Sequence, residues 1–420
     1  MRLDAGAHAL YLICKRGAND PETEAIVMNF PERFSNLPPY AFPRLRALLD
    51  HHTPGGDVVH MTIGEPKHTF PAWVTDVIAE NAAGFNNYPP NEGSEELRGA
   101  MSDWIARRYG VKMDADRQVM ALNGTREGLY NAAMALCPET KNGARPAVLI
   151  PNPFYQVYMV ATISVGAEPV FVPATAETGH LPDYASLPTE VLDRTAVAYI
   201  CSPANPQGAV ATREYWADLI RLAEKHDFRI FADECYSEIY RDAAPVGALT
   251  VAQELGADPE RVVLFNSLSK RSNLPGLRAG LIAGGPECIA RLKQLRAYSG
   301  APMPGPLQAA AARVWADEAH VEENRALYQE KYQIADQVFD GLDGYMSPEA
   351  GFFLWLPVKD GGEAAALKLW QETGVRVLPG AYLAQGAPGQ NPGEGYIRVA
   401  LVAPAEATQT ALTTLRSCLY

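Results

Sequence analysis

Four short apolar, β-branched runs, separated by helix-length segments, constrain the fold of this chain more than any other feature. They are Ala147–Ile150, Ala196–Ile200, Arg229–Ala232 and Arg261–Phe265. Runs this short, without in–out alternation, suit strands covered on both faces, and therefore a largely parallel sheet between helices. The intervening segments are amphipathic. Ser94 is placed to cap a helix over 95–109, with Glu95 and Glu96 in its first turn and Gly110 to stop it. Leu97, Met101, Trp104 and Ile105 then share one face. A second helix follows Thr125, with Leu129, Ala133 and Leu136 on one side.

After about residue 300 the pattern changes. A Pro/Gly-rich stretch, Gly300–Pro306, leads into a long helical region over 307–342, then shorter strand-like runs at Phe352–Pro357, Val375–Pro379 and Tyr396–Val402. The expected organisation is α/β: a large domain over 61–299 with a mostly parallel sheet between helices, and a smaller α+β domain over 300–420 joined by 28–60. Residues 1–27 read as an N-terminal extension, either a loose tail or a misplaced start, with no function assigned.

With 420 residues, 47% of them hydrophobic, the chain buries enough surface to fold without disulfide or metal staples. Its formal net charge of −13 repels phosphate backbones and anionic bilayers, so neither nucleic acid nor membrane is an expected partner. Cys14, Cys137, Cys201, Cys235, Cys288 and Cys418 lie far apart with no CxxC pair, a pattern without zinc or dithiol spacing that fits a reducing cytoplasm. No metal site is expected, and no apolar run reaches the length of a membrane span.

Polar residues sit just past the C-terminal ends of the four runs: Tyr155, Asn205, Asp233, and Ser267 with Lys270. Open α/β sheets bind ligands at that edge. Lys270 lies in Ser267-Leu-Ser269-Lys270, eight residues before Arg278; an amine for an aldehyde stands beside hydroxyls and a guanidinium suited to phosphate. The alternative is a solvated loop. Asp233, in Asp-Glu-Cys-Tyr236, ends an apolar strand, where a carboxylate calls for a cation such as a pyridinium nitrogen; otherwise it caps a helix. Tyr236 and Asn205 are placed to bond a phenolic oxygen, although Asn205-Pro also reads as a turn. Gly124, Thr125 and Arg126 open a helix whose amides suit a phosphate, or Thr125 simply caps it. Tyr155 offers a ring to stack on a flat cofactor, or packs. Arg398 interrupts an apolar strand and calls for a carboxylate, for which a substrate qualifies.

In this order and spacing the motifs resemble the fold type I pyridoxal-phosphate enzymes, and within them the class I/II aminotransferases, from about Asn29 onward. The resemblance implies that Lys270 carries pyridoxal 5′-phosphate as a Schiff base. It also implies that Asp233 pairs with the ring nitrogen, while Asn205 and Tyr236 bind the ring oxygen. Ser267, Arg278 and the Gly124–Arg126 loop would hold the phosphate, with Ser269 a weaker candidate, and Tyr155 would stack on the ring. Arg398 and the backbone at Gly64 would bind the substrate α-carboxylate. Tyr88 matches a tyrosine that reaches the phosphate from a neighbouring subunit, so a homodimer with shared sites is implied. Two departures stand out: Gln207 follows Asn-Pro where threonine is usual, and Lys67-His68 replaces an acidic-aromatic pair.

Several segments, among them Asn-Gly-Thr-Arg-Glu127 and Asn-Pro-Phe-Tyr-Gln156, are similar in wording to N-succinyldiaminopimelate aminotransferases of lysine biosynthesis. The implied reaction is amino transfer from an amino acid to a 2-oxo acid, the 2-oxoglutarate/glutamate pair foremost. Aspartate, alanine or aromatic transamination and a β-lyase reaction on the same scaffold stand as alternatives. Lys67, His68 or Arg126 is expected to meet a distal substrate carboxylate, unless the first two are merely solvated. Ser267-x-x-Lys270 also matches the serine acyl-enzyme motif of penicillin-binding proteins, but their Ser-Asp-Asn and Lys-Thr-Gly companions do not occur. A non-enzymatic regulator is the remaining rival.

Overall fold

A computed structural model describes residues 31–420 apart from Asn36 and Pro38; the expected extension over 1–27 lies outside them. The central sheet has seven strands: β1 Val119–Leu122, β2 Ala147–Asn152, β3 Glu168–Pro173, β4 Thr195–Cys201, β5 Arg229–Asp233, β6 Val262–Ser267 and β7 Gly280–Ala283. Their spatial order is β1-β7-β6-β5-β4-β2-β3. All run in one direction except β7, which is antiparallel to both β6 and β1. Both faces are buried: Leu149, Ala198, Ile230 and Leu264 point to one apolar cluster, Val148, Tyr199, Phe231 and Val263 to the other. This two-sided covering explains the near-continuous apolar runs. The expected sheet is present, with β1, β3 and β7 added; these three are short or half-exposed and gave weaker signals.

Helix α1, Glu95–Tyr109, forms as its residues dictate. The Ser94 hydroxyl accepts the Leu97 amide at 3.2 Å, and Gly110 ends the helix at φ 71°. Trp104 on its buried face packs at 4.7 Å from Trp315 and edge-on to Tyr109. Trp104→Ala is expected to cost about 3–5 kcal/mol through lost burial and a residual cavity, to be read as a lower urea midpoint with an unchanged slope. Helix α2, Thr125–Leu136, follows β1 directly.

The long helical region expected over 307–342 is two helices, α3 Gly305–Ala316 and α4 Ala319–Phe339. Helix α3 buries Ala310, Ala311, Val314 and Trp315 in the core of the large sheet, whereas α4 buries Tyr328, Tyr332 and Phe339 in a separate core. The crossing between cores therefore falls at Asp317–Glu318 and not at the Pro/Gly-rich stretch near 300. Arg271 fastens this break: its guanidinium, fully buried, donates to the carbonyls of Val314 and Asp317 at 3.0 Å and pairs with Glu318 at 2.9 Å.

The second core is covered by a three-stranded antiparallel sheet, β8 Phe353–Pro357, β9 Leu378–Pro379 and β10 Tyr396–Ala400, in the order β9-β10-β8. The single strand expected over Val375–Pro379 is divided. Val375–Arg376 pairs in parallel with Val59–His60, and only Leu378–Pro379 joins β10. Among the described residues no helix is long and apolar enough to cross a membrane, and no cluster of potential metal ligands occurs.

Candidate active site

Between the C-terminal edge of the large sheet and β8–β10 lies a cavity of about 320 Å³. Gly64, Thr125, Arg126, Tyr155, Asn205, Asp233, Tyr236, Ser267, Ser269, Lys270, Arg278 and Arg398 all line it. Residues spread over more than 300 positions thus converge because strand ends and one strand of the smaller sheet face each other.

Lys270 sits on the short helix Leu268–Arg271 that follows β6, and its Nζ donates to the Gly64 carbonyl. Burial pulls the amine down to about 8; the nearby Cys235 thiol opposes this, and the Arg398 and Arg278 charges add to it. The rings of Phe352 and Tyr236 lie 5.4 and 5.9 Å from Nζ. At Gly64 any side chain would collide with Phe353, since an added Cβ would stand 2.5 Å from its ring.

Asp233 ends β5 and is 5% exposed. Its carboxylate accepts the Tyr158 hydroxyl at 2.7 Å and the Cys235 amide at 3.4 Å. Burial pushes its carboxyl above the usual range, and among the described residues no cationic side chain lies within 4 Å of it. A buried carboxylate in that state calls for a cation not supplied by the chain.

Arg398, 4% exposed on β10, is the converse case. Its Nη1 donates to Asn205 Oδ1 at 3.0 Å and Nη2 to the Thr62 carbonyl at 2.7 Å, while Nε has no partner. Burial lowers it to about 10, and no carboxylate among the described residues pairs with it. Phe353 lies under the guanidinium at 4.2 Å.

The third corner is built by backbone. Gly124, at φ 81°, precedes α2 and lets Arg278 cross it; an added Cβ would stand 2.1 Å from Arg278 Nη2. Arg278 donates to the carbonyls of Pro275 at 2.8 Å and Asn123 at 3.2 Å. The Ser267 hydroxyl accepts the Ser269 amide at 3.2 Å. Hydroxyls, a guanidinium and the first amides of a twelve-residue helix together make an anion cradle. Arg126 Nε donates to the Tyr155 hydroxyl at 2.9 Å, a bond that raises the guanidinium further. An aldehyde-bearing ring with a basic nitrogen and a phosphate satisfies Lys270, Asp233 and the anion cradle at once and leaves Arg398 for a carboxylate, so these residues fit pyridoxal 5′-phosphate.

Three expected residues lie elsewhere. Tyr88 is fully exposed and does not line the cavity. Lys67 is exposed and paired with Glu65. His68 faces away from the cavity into bonds with Asn324 and Lys331, because the chain turns after Gly64-Glu65-Pro66 toward α4. The expectation that Lys67 or His68 meets a substrate inside the cavity is not supported by this placement. Conversely, Tyr158, Glu65, Tyr40 and Phe353 line the cavity without having been singled out. Tyr158 had a readable signal, standing one helical step beyond Tyr155; Tyr40 and Phe353 arrive through tertiary packing.

The sequence matches the family described as aminotransferase class I and II over residues 56–415. It is 33% identical over 400 residues to an LL-diaminopimelate aminotransferase of Moorella thermoacetica, covering 93% of this chain and 99% of that protein. The LL-diaminopimelate aminotransferase of Desulforudis audaxviator is likewise 33% identical over 404 residues, with 93% and 99% coverage. Among solved structures, an aminotransferase from Neisseria meningitidis superposes with a TM-score of 0.88 at 38% identity, covering 93% of this chain and all of that one. The aminotransferase AspB of Helicobacter pylori gives a TM-score of 0.84 at 32% identity, with 93% and 99% coverage. Fold, cavity chemistry and kinship agree, and the chain belongs to the class I and II aminotransferases, pyridoxal-phosphate-dependent enzymes of fold type I.

Proposed function

We propose that this aminotransferase works on N-succinyldiaminopimelate with the 2-oxoglutarate/glutamate pair, as a step of lysine formation. The observation that carries the substrate reading is the charge of the cavity rim. Asp233 and Glu65 are the acidic residues lining it; Asp233 ends a buried strand and Glu65 is neutralised by Lys67. Among the described residues no unpaired carboxylate at the rim is thereby offered to a distal ammonium, whereas Arg126, bonded to the Tyr155 hydroxyl through Nε alone, offers its Nη groups to a distal anion. Succinylation removes the ammonium and adds a carboxylate. Tyr40, Phe42, Ile63 and Leu383 supply an apolar wall for the acyl chain. The names of the relatives favour a second reading, free LL-diaminopimelate. Half-reactions with each compound as sole donor, followed by loss of the cofactor's visible absorption, separate the two. Faster conversion with the unsuccinylated donor would reverse the proposal.

In this reading Arg398 grips the α-carboxylate with the Nη pair while Asn205 and the Thr62 carbonyl hold the guanidinium in place. Pyridoxal phosphate, when bound, supplies the electron sink for the charge developing at Cα. Asp233, kept in position by Tyr158 and the Cys235 amide, holds the ring nitrogen protonated. Lys270 takes the Cα proton and returns it, a task suited to an amine whose affinity for protons burial has reduced. Phe352, Phe353 and Tyr236 keep water from that amine.

These roles are open to measurement. Arg398→Met is expected to raise KM for amino donor and oxo-acid acceptor alike by about a hundredfold, since both carboxylates lose the same charged fork; steady-state kinetics checks it. Because only the neutral amine captures the aldehyde, uptake of the cofactor by apo-protein is expected to quicken as pH rises and to level off above about 8. Stopped-flow absorbance across pH 6–10 reads the midpoint, and a midpoint near the ordinary lysine value would contradict the buried amine. Full exposure of Tyr88 supports its reaching a second subunit. Sedimentation at micromolar concentration is expected to show a dimer, and Tyr88→Ala to weaken cofactor retention.

A further inference from the structure

Lys331, 1% exposed on α4, has no carboxylate within 4 Å among the described residues, yet it touches both segments that build the carboxylate site. Its Nζ donates to the Leu401 carbonyl at 3.1 Å, one residue past the strand that carries Arg398. It also donates to His68 Nε2 at 2.7 Å. That bond leaves Nδ1 as the protonated nitrogen, and Nδ1 donates to Asn324 Oδ1 at 2.8 Å. Asn324 Oδ1 accepts Asn273 Nδ2 at 3.0 Å as well, and its own amide faces the carbonyl of Lys270 at 3.4 Å. Donors and acceptors match along the whole chain for one tautomer only, the neutral ring with hydrogen on Nδ1.

His68 ends the segment whose Thr62 carbonyl holds Arg398 and whose Gly64 carbonyl holds the Lys270 amine. We infer that His68 is a positioning residue: locked between Lys331 and Asn324, it sets the register of the Thr62–Gly64 segment against Arg398 and Lys270. Burial and the Lys331 charge hold the imidazole below its ordinary value, against the pull of the Asn324 bond, which agrees with a neutral ring at pH 7. The ring also packs at 4.6 Å on Tyr328, so a phenylalanine preserves the packing while deleting both bonds, and a glutamine restores one acceptor and one donor.

The inference rests on the reading of Arg398 as the carboxylate site, and its test keeps the two apart. Succinate, a dicarboxylate without an amino group, is titrated into holoenzyme by calorimetry. His68→Phe, which deletes both bonds, is expected to weaken it about tenfold, and His68→Gln to stay within about threefold of the native protein. Equal affinity in His68→Phe, with Arg398→Met weakened, overturns the inference alone. Equal affinity in Arg398→Met overturns the carboxylate reading beneath it. Independently of any variant, long-range proton–nitrogen NMR of protein labelled at histidine is expected to show His68 protonated on Nδ1 and bare on Nε2 at pH 7. The opposite tautomer or a cationic ring overturns the inference.

Discussion

Lys270→Ala is expected to lower the rate of the amino-donor half-reaction by about four orders of magnitude while leaving the fold intact. Removal of a positioned base costs roughly 10²–10⁴-fold, and the upper end applies because no other lysine among the described residues lines the cavity. Lys331, buried on α4, is committed to His68 and Leu401. Stability is expected to hold or rise. The Lys270 amine is buried at a cost that shows in its lowered proton affinity, and its one hydrogen bond is to the Gly64 carbonyl. Single-turnover absorbance measures the rate, and urea unfolding of the apo-protein the stability. Partial recovery of rate with added methylamine, with no change in donor affinity, would place the whole effect at the proton-transfer step. A variant as fast as the native enzyme would exclude Lys270 as the base.

Asp233→Ala ranks second. Breaking a buried charge pair by deleting one member costs about 3–5 kcal/mol, which amounts to roughly 10²–10⁴-fold if it appears in the transition state. The apo-protein itself is expected to be destabilised far less, because there burial, with no cation paired to the carboxylate, already disfavours its charged form and raises its pKa. The cost to the apo-protein comes chiefly from the Tyr158 hydroxyl, which loses its acceptor, about 1–3 kcal/mol, with the longer Cys235 amide contact adding less. The contrast is the test: a large loss in turnover and cofactor affinity beside a small shift of the apo-protein's urea midpoint. Equal losses in both would make Asp233 a structural residue.

The site was legible to the extent that it is written at strand ends. Asn205, Asp233, Ser267 and Lys270 each follow an apolar run; singly they also read as a turn, a cap or a solvated loop, and only together at one sheet edge do they mark a ligand site. Arg398 was legible for the same reason, as a charge inside a strand. What the sequence concealed was direction. Lys67 and His68 lie three and four residues after Gly64, close enough to suggest a shared destination. The turn at Pro66 sends His68 to α4 instead, where its partners Asn324 and Lys331 lie more than 250 positions away, and leaves Lys67 exposed and paired with Glu65. The helical region after 300 misled in a similar way. Continuous helix-forming residues hid the break at Asp317–Glu318, which is specified by Arg271 from the distant short helix Leu268–Arg271 and by the two different cores that flank it.

The reversed strand β7 has a consequence for how the enzyme can change. The parallel strands deliver side chains to the cavity from their exits, but β7 does so from its entrance, so Arg278 arrives there just before Gly280. Its partner across the ladder is the last residue of β1, Leu122 opposite Gly280, which puts Gly124 beneath the guanidinium. Slippage of that ladder by a single residue would turn Leu122 outward and carry the two halves of the anion cradle apart. Insertions between Arg278 and Gly280 are therefore excluded by chemistry, even though the loop that contains them looks, by length alone, tolerant of change.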